Sequence, residues 1–430
     1  MKSPENNSKI SGFRLIFRAL RYRNYRLFFY GQTTSLVGTW MQQTALSWLV
    51  YRMTNSPFLL GIVGFSGQIP SFIFSPLAGV IADRYNRRSM LIFTQILAMA
   101  QALILTGLVF TKTITVWHII ALSIFLGLVN SFDMPLRQAF TIETIENSQD
   151  LGNAIALNSS MVNLARLLGP SIAGILIALS GEGVCFFLNA LSYLAVIVSL
   201  SVMRLAARKV SQQGKHIFDE LKEGFRYAFG FMPIKSILIL LGLISLTGVP
   251  YMLLMPVFAR DIFQGGPKTL GFLMAISGLG ALTGALYLAG RRNVLGLGKI
   301  IVWASGLFGL GIIAFSLSKL LWLSMFCVLI AGFGMMVQMA ASNTILQSVV
   351  EEDMRGRVMS FFTVAFMGIA PFGSLLAGGL AHNIGAPRTV FIGGACCILG
   401  AIAFALKLPE LNREIRPVYA SKGIIPEENK

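Results

Sequence analysis

Long apolar segments recur along nearly the whole chain, and each is close to the roughly 20 residues that a helix needs to cross a lipid bilayer. Only 12% of the residues are charged, whereas a soluble domain carries roughly a quarter. Backbone groups inside a bilayer must be hydrogen-bonded within their own segment, so these segments are expected to be helices. The sequence therefore predicts an all-α integral membrane protein with twelve spans. We place the spans at residues 26–51, 57–82, 89–111, 116–141, 154–180, 183–204, 234–258, 268–290, 299–318, 320–349, 356–381 and 387–407.

The twelve spans divide into two halves of six, separated by a longer polar segment. Span 4 and span 10 each end in polar residues, and each is followed by an acidic loop, so the halves are weakly similar. Two related sets of six helices are typical of transporters that bind their substrate between the halves, near the middle of the membrane. We expect a basic arm, a first half, a linker, a second half and a tail at residues 1–25, 26–204, 205–233, 234–407 and 408–430.

Inside the linker, apolar residues recur at helical spacing at Ile217, Leu221, Phe225 and Phe229. This pattern predicts an amphipathic helix lying on the cytoplasmic membrane surface. A plain connecting segment is the alternative.

The distribution of Lys and Arg predicts the orientation of the chain. With a cytoplasmic N-terminus, the cytoplasmic segments hold 27 of the 35 basic residues and the outer loops hold six. Basic residues concentrate on the cytoplasmic side of membrane proteins. We therefore expect a multi-pass protein of the bacterial inner (plasma) membrane with both termini in the cytoplasm.

Away from the ends of the predicted spans, three charged residues remain: Asp133 and Arg137 in span 4 and Arg166 in span 5. Because Asp133 and Arg137 are four residues apart on one helix, their side chains can meet. A charge in mid-membrane costs at least about 2.5–3.5 kcal/mol, so such residues are usually paired or functional. The group is either a structural ion pair or a proton-coupling network. The acceptor for Arg166 is either Asp133 or an anion carried by the substrate.

Polar residues also form stripes along three spans. Their spacing of three or four residues places each stripe on one helix face. Such stripes serve helix–helix hydrogen bonding or line a water-accessible cavity, and for spans 1 and 4 we favour the cavity. The stripes comprise Gln32, Ser35, Thr39, Gln43 and Ser47; Asn130, Asp133, Arg137 and Thr141; and Ser159, Asn163, Arg166 and Pro170.

The loop after span 2 reads G-V-I-A-D-R-Y-N-R-R over residues 79–88. It resembles the signature loop of the major facilitator superfamily, G-x-x-x-D-R-x-G-R-R, with Asn86 in place of a glycine. Asn tolerates a left-handed backbone, so the turn is expected to persist. The resemblance implies the major facilitator fold and a cytoplasmic gate that latches the two halves; a basic loop that only sets topology is the alternative. The gate residues would be Gly79, Asp83, Arg84, Arg87 and Arg88.

Span 5 contains Gly169, Pro170 and Gly174, which resemble the core of the antiporter motif of exporters in this superfamily. The match is partial because Ala165 stands where that motif has a glycine. Gly-Pro bends a helix and Gly174 allows close packing, so a simple packing kink is the alternative.

Three further stretches, residues 23–28, 38–43 and 133–139, resemble the branch that holds enterobactin-type siderophore exporters and macrolide efflux proteins. Many members of that branch carry Asp where this chain has Thr39. This departure moves the expected proton-coupling role to Asp133.

The resemblance implies a proton-driven exporter, not an enzyme, that moves a small amphiphilic organic molecule by alternating access. Siderophore export, macrolide or other drug efflux, and lysophospholipid flipping between leaflets all remain open. We expect protons and the lipid bilayer as partners, a monomer, no nucleic acid, no cofactor and no metal. A mixture of aromatic, Met and amide side chains suits such a substrate. The predicted lining residues are Trp40, Gln43, Gln68, Tyr251, Met255, Met335, Met336 and Gln338.

Overall fold

The computed structural model describes residues 17–145, 147–204, 217–291 and 293–425, with the backbone alone for residues 75–84, 148 and 217–221. This part of the chain is helical, without a β-strand. Eleven of its helices are long and apolar enough to cross a membrane; α1, which carries the polar stripe, is the twelfth long helix. The helices are α1 (Arg23–Thr54), α2 (Pro57–Arg84), α3 (Arg87–Phe110), α4 (Val116–Glu143), α5 (Leu151–Ser180), α6 (Glu182–Val202), α7 (Ile217–Gly230), α8 (Met232–Ile262), α9 (Pro267–Ala289), α10 (Leu297–Leu317), α11 (Leu321–Val349), α12 (Glu352–Ile384) and α13 (Ala386–Ser421).

The long helices pack into two groups. In the first, α1 packs on α5 and α6, α3 on α4 and α6, and α2 on α4; in the second, α11 packs on α9 and α10, and α10 on α13. Two helix pairs, α5–α9 and α2–α12, join the groups. We call the side of the bundle where residues 17 and 425 lie, the first and last described residues, the terminus side, and the other the opposite side.

Glycines allow the groups to approach each other closely toward the opposite side. A Cβ on Gly174 of α5 would lie 2.8 Å from the Pro267 carbonyl oxygen and 3.0 Å from Cα of Gly271 in α9. A Cβ on Gly61 of α2 would lie 2.8 Å from the Ser374 carbonyl oxygen in α12. Small residues of this kind let membrane helices pack backbone to backbone.

Two helices of the second group depart from regular α geometry. In α8, a π turn spans Ile244–Gly248 and a 3₁₀ turn spans Val249–Met252, and α12 holds a π turn over Val364–Gly368. Pro250 supplies no backbone N–H, which favours the irregularity in α8. Such breaks are frequent at functional sites. The 3₁₀ turn of α8, which ends at Met252, lies beside the charged site described below.

On the terminus side, α7 and the end of α13 are bonded to neighbouring helices. Helix α7 lies where the linker pattern predicted a helix, and Arg357 of α12 pairs with its Glu223 at 2.6 Å. Helix α13 continues to Ser421, well past the predicted end of the last span at residue 407. Lys422 then donates to the carbonyl oxygens of Ser348 and Val350, each at 2.9 Å, which satisfies the end of α11.

Candidate transport site

Arg166 lies near the middle of the 30-residue helix α5, between the two groups of helices. Its Nη2 is 3.2 Å from the sulfur of Met252 in α8, and its guanidinium carbon lies 5.7 Å from the centre of the Trp40 ring in α1. Its Nε is buried and has no hydrogen-bond partner among the described residues. Both groups of helices therefore contribute to the surroundings of this charge.

The backbone around Arg166 is fixed by close helix contacts. A Cβ on Gly169 would lie 2.4 Å from the Cβ of Trp40, and a Cβ on Gly278 of α9 would lie 3.0 Å from the Arg166 carbonyl oxygen. Beside it, the buried Tyr251 hydroxyl lies 2.8 Å from Oγ of Ser277. Gly169 and Gly278 thus allow α1 and α9 to pack closely against α5 at the level of Arg166.

Asp133 is 2% exposed and is surrounded by hydrogen-bond donors. Its Oδ2 pairs with Arg137, as the spacing of four residues predicts. Its Oδ1 accepts from Oγ1 of Thr94 at 3.0 Å and from Nε2 of Gln95 at 2.7 Å, both in α3. Arg166 is not among these donors. Of the two acceptors that the sequence left open for Arg166, Asp133 makes its hydrogen bonds to other side chains in this structure.

A buried amide network continues the polar interior of the first group. Gln42 of α1 donates to Oε1 of Gln101 at 3.0 Å and accepts from Asn189 of α6 at 2.8 Å. Nδ2 of Asn189 lies 3.5 Å from the hydroxyl of Tyr193. Sequence reasoning missed these residues. The available signal was the presence of the amides Gln101 and Asn189 within predominantly apolar spans, since such a group needs a partner.

On the opposite side, two contacts connect the groups directly. Tyr51 at the end of α1 hydrogen-bonds to Asp261 of α8, and Arg260 hydrogen-bonds to Oδ1 of Asn55. Asn55 caps α1 in the left-handed conformation, with φ 51°. We call these four residues the opposite-side latch. Sequence reasoning missed this latch, because its four residues lie at the outer ends of two different helices and no regular spacing in the sequence relates them.

On the terminus side, part of the predicted gate motif is visible. Arg87 pairs with Glu143 at 3.0 Å, which ties α3 to α4. Nη2 of Arg88 donates to the Ser201 carbonyl oxygen at 2.6 Å. Gly79, Asp83 and Arg84 belong to the stretch described by its backbone alone, so their side-chain contacts lie outside the described part of the chain.

The remaining predicted lining residues occupy different surroundings. Gln43 and Gln68 are exposed in the middle of α1 and α2, whereas Met336 is partly exposed. Met255, Met335 and Gln338 are buried in the second group. Of the eight predicted lining residues, the structure brings Trp40 and Tyr251 to the surroundings of Arg166.

Two packed groups of six long helices, with a charged site midway between them, define a membrane transporter. The sequence model of the transmembrane secretion effector family matches residues 16–422 of this chain. The chain belongs to this family, which is part of the major facilitator superfamily. It is a transporter and not an enzyme.

Relatives of known function fall in the same group of transporters. The chain is 26% identical over 398 residues to the staphyloferrin A transporter of Staphylococcus aureus, covering 91% of this chain and 99% of the relative. It is 23% identical over 394 residues to macrolide efflux protein A of Streptococcus pyogenes, covering 89% and 96%.

Solved structures support the fold. A bacterial homologue of the human lysosomal transporter Spinster, in an inward-facing and unoccupied conformation, matches with a TM-score of 0.70. At 13% identity the match covers 92% of this chain and 98% of that one. The predicted major facilitator fold is thereby confirmed.

Proposed function

We propose that the protein exports a small amphiphilic organic molecule across the bacterial inner membrane by alternating access, in exchange for protons. The observation that carries this proposal is the site around Arg166, which both helix groups build at mid-membrane. Trp40 and Met252 offer aromatic and thioether surface beside a single cation, which suits an amphiphile. A site formed by both groups changes when the groups move, as alternating access requires.

The relatives favour a siderophore or a related metabolite as the substrate. One of them transports staphyloferrin A and another is a macrolide efflux protein, so both handle organic molecules larger than a simple ion. Drug efflux is the second candidate within the same transport class. Lysophospholipid flipping is a third possibility from the sequence, and it is separated from the others by the experiment below.

The contacts between the groups support an outward-directed cycle when both termini are placed in the cytoplasm. The contacts of α5 with α9 involve residues of α5 from Arg166 onward and residues of α9 up to Gly278. The opposite-side latch adds Tyr51 and Asp261 at the outermost level. This arrangement closes the outer side, so it corresponds to the state that takes up substrate from the cytoplasm.

Proton exchange is assigned to Asp133 with Arg137. In this state Thr94, Gln95 and Arg137 all donate hydrogen bonds to the carboxylate of Asp133. A movement of Arg137 away from Asp133 would take the charged donor from this buried carboxylate. Each proton that enters gains about 2.3 kcal/mol per 100 mV of membrane potential in addition to the pH gradient.

Other residues are proposed to border the path of the substrate. Gln43 and Gln68 are exposed amides, which are costly against lipid and therefore suit a water-filled space. Met336 is partly exposed on the second group. Met255, Met335 and Gln338 are buried in this state and would meet substrate only after the groups rearrange. Nothing in this cycle requires a second copy of the chain, so we assign a monomer.

The test is concentrative uptake into inside-out vesicles containing the protein, with an acidic lumen. Labelled carboxylate siderophores, a macrolide and a lysophospholipid are offered in parallel. We expect one of the organic solutes to accumulate, and a protonophore to abolish the accumulation. Vesicles without the protein are the control. Exchange of lysophospholipid between leaflets at a rate independent of the gradient, with no solute accumulated, contradicts proton-driven export.

A further inference from the structure

Arg166 carries a positive charge that the described residues do not balance. Its described contacts are the thioether of Met252 and the face of Trp40, and neither group bears a negative charge. A guanidinium has five N–H donors and stays protonated in proteins. Leaving such a group half-desolvated without an anion is costly, because the lost hydration is not replaced.

The carboxylates with assigned partners lie elsewhere. Asp133 is occupied by Arg137, Thr94 and Gln95. The remaining pairs are at the ends of the helices and include Arg87–Glu143, Arg52–Glu182 and Arg357–Glu223. Within the described part of the chain, each of these acids has its own basic partner, and none is paired with Arg166.

The surroundings of Arg166 also fit one kind of ligand. The aromatic face of Trp40 and the sulfur of Met252 offer contact to an apolar group directly beside the guanidinium. An arginine fork binds the two oxygens of a carboxylate or phosphate in parallel. The buried Nε, which has no partner in the described residues, is one of the donors such an oxygen would use.

We infer that Arg166 is the binding subsite for an anionic oxygen group, a carboxylate or a phosphate, on the transported molecule, with its apolar part against Trp40 and Met252. This inference rests on the proposed function, because it identifies the chemical class of that function's substrate. Compounds whose only charge is an ammonium group are expected to be poor ligands, since the guanidinium repels them.

The test is equilibrium dialysis of labelled probes with the purified full-length protein in lipid nanodiscs. The carboxylate arm compares 2-naphthoate with its uncharged methyl ester. The phosphate arm compares lauroyl lysophosphatidylglycerol with the uncharged monoacylglycerol of the same chain. The variants are Arg166→Gln and Arg166→Lys, and the matched control is Arg52→Gln, which removes an arginine from an ion pair away from the site.

We expect at least one anionic probe to bind wild type and to lose at least about tenfold in affinity in Arg166→Gln, as for a charged hydrogen bond removed. Arg166→Lys should lose less, and Arg52→Gln and the uncharged probes should be unaffected. Dependence on Arg166 in the phosphate arm alone assigns the anion to a lipid headgroup. Wild-type affinity of the anionic probes for Arg166→Gln, or no binding of any anionic probe to wild type, overturns the inference.

These outcomes are independent of transport. Dialysis reports anion binding whether or not a proton gradient moves a solute. If the protein binds anions through Arg166 but accumulates no solute in vesicles, the subsite stands and the proposed function is overturned. A protein that accumulates an uncharged compound, with Arg166→Gln fully active, retains the proposed function and loses the subsite.

Discussion

The hydroxyl of Tyr51 donates a hydrogen bond to Oδ2 of Asp261, and this contact joins the end of the first helix to the second half of the chain. Arg260 reinforces it by donating to Oδ1 of Asn55 and to the Tyr51 carbonyl oxygen, the latter at 3.4 Å. The latch therefore couples the two halves at the opposite side, where the proposed alternating-access cycle would open.

Removing the latch should favour opening of the opposite side. Tyr51→Phe deletes one part-buried hydrogen bond to a carboxylate, worth about 1.5 kcal/mol, which corresponds to a shift of about tenfold in the ratio of open to closed protein. Spin labels at Ser56 and Lys268 in a cysteine-free background should show more of the longer distance. Glu182→Gln, which breaks an ion pair within the first half, is the matched control. An unchanged distance distribution in Tyr51→Phe would remove the latch from the account.

Packing between α5 and α9 depends on Gly174. In Gly174→Val the added atoms would meet the Pro267 carbonyl oxygen and the backbone of Gly271, and backbone on both sides has little freedom to move. We expect a loss of thermal stability and of transport, since overpacking typically costs about 1–3 kcal/mol. Gly306→Ala is the control because its Cβ meets no atom within 4 Å. Equal melting temperatures of Gly174→Val and Gly306→Ala would contradict the prediction that the packing of α5 against α9 depends on Gly174.

Asp150 fixes the segment that precedes α1. Its carboxylate accepts from Arg18 at 2.7 Å, from Arg21 at 2.8 Å and from the Tyr22 hydroxyl at 2.8 Å, and it is 4% exposed. In Asp150→Asn this segment should detach, and trypsin should cleave after Arg18 and Arg21 at least several times faster. Glu352→Gln serves as the control, because Glu352 is exposed and lies 3.9 Å from Arg355. Equal cleavage rates in both variants would show that Asp150 does not hold the segment.

The helices and the ion pair within α4 could be predicted from the sequence, because both follow from local periodicity. Asp133 and Arg137 meet as their spacing requires, and α7 forms where apolar residues recur every fourth position. The end of α13 was placed too early by hydropathy, since the helix continues as a polar amphipathic segment to Ser421.

Contacts between distant helices could not be predicted, because helical periodicity defines a face but not its partner. The polar stripe on α1 pointed to Gln43, whereas the neighbouring Gln42 makes the buried hydrogen bonds to α3 and α6. Trp40 and Arg166 were each singled out from the sequence, but their stacking depends on the approach allowed by Gly169. Met252 was missed because a thioether among apolar residues carries no distinctive signal.

The central claim, proton-coupled export through Asp133, is tested most directly by substrate-driven proton movement in liposomes containing an internal pH dye, wild type against Asp133→Asn. The account predicts that an exported solute moves protons in wild type, and that Asp133→Asn abolishes this movement while Asp133→Glu, which keeps the carboxyl group, retains part of it. Elution as a single species would show that the variants are folded. Undiminished proton movement in Asp133→Asn would contradict the account and leave Asp133 as a structural partner of Arg137.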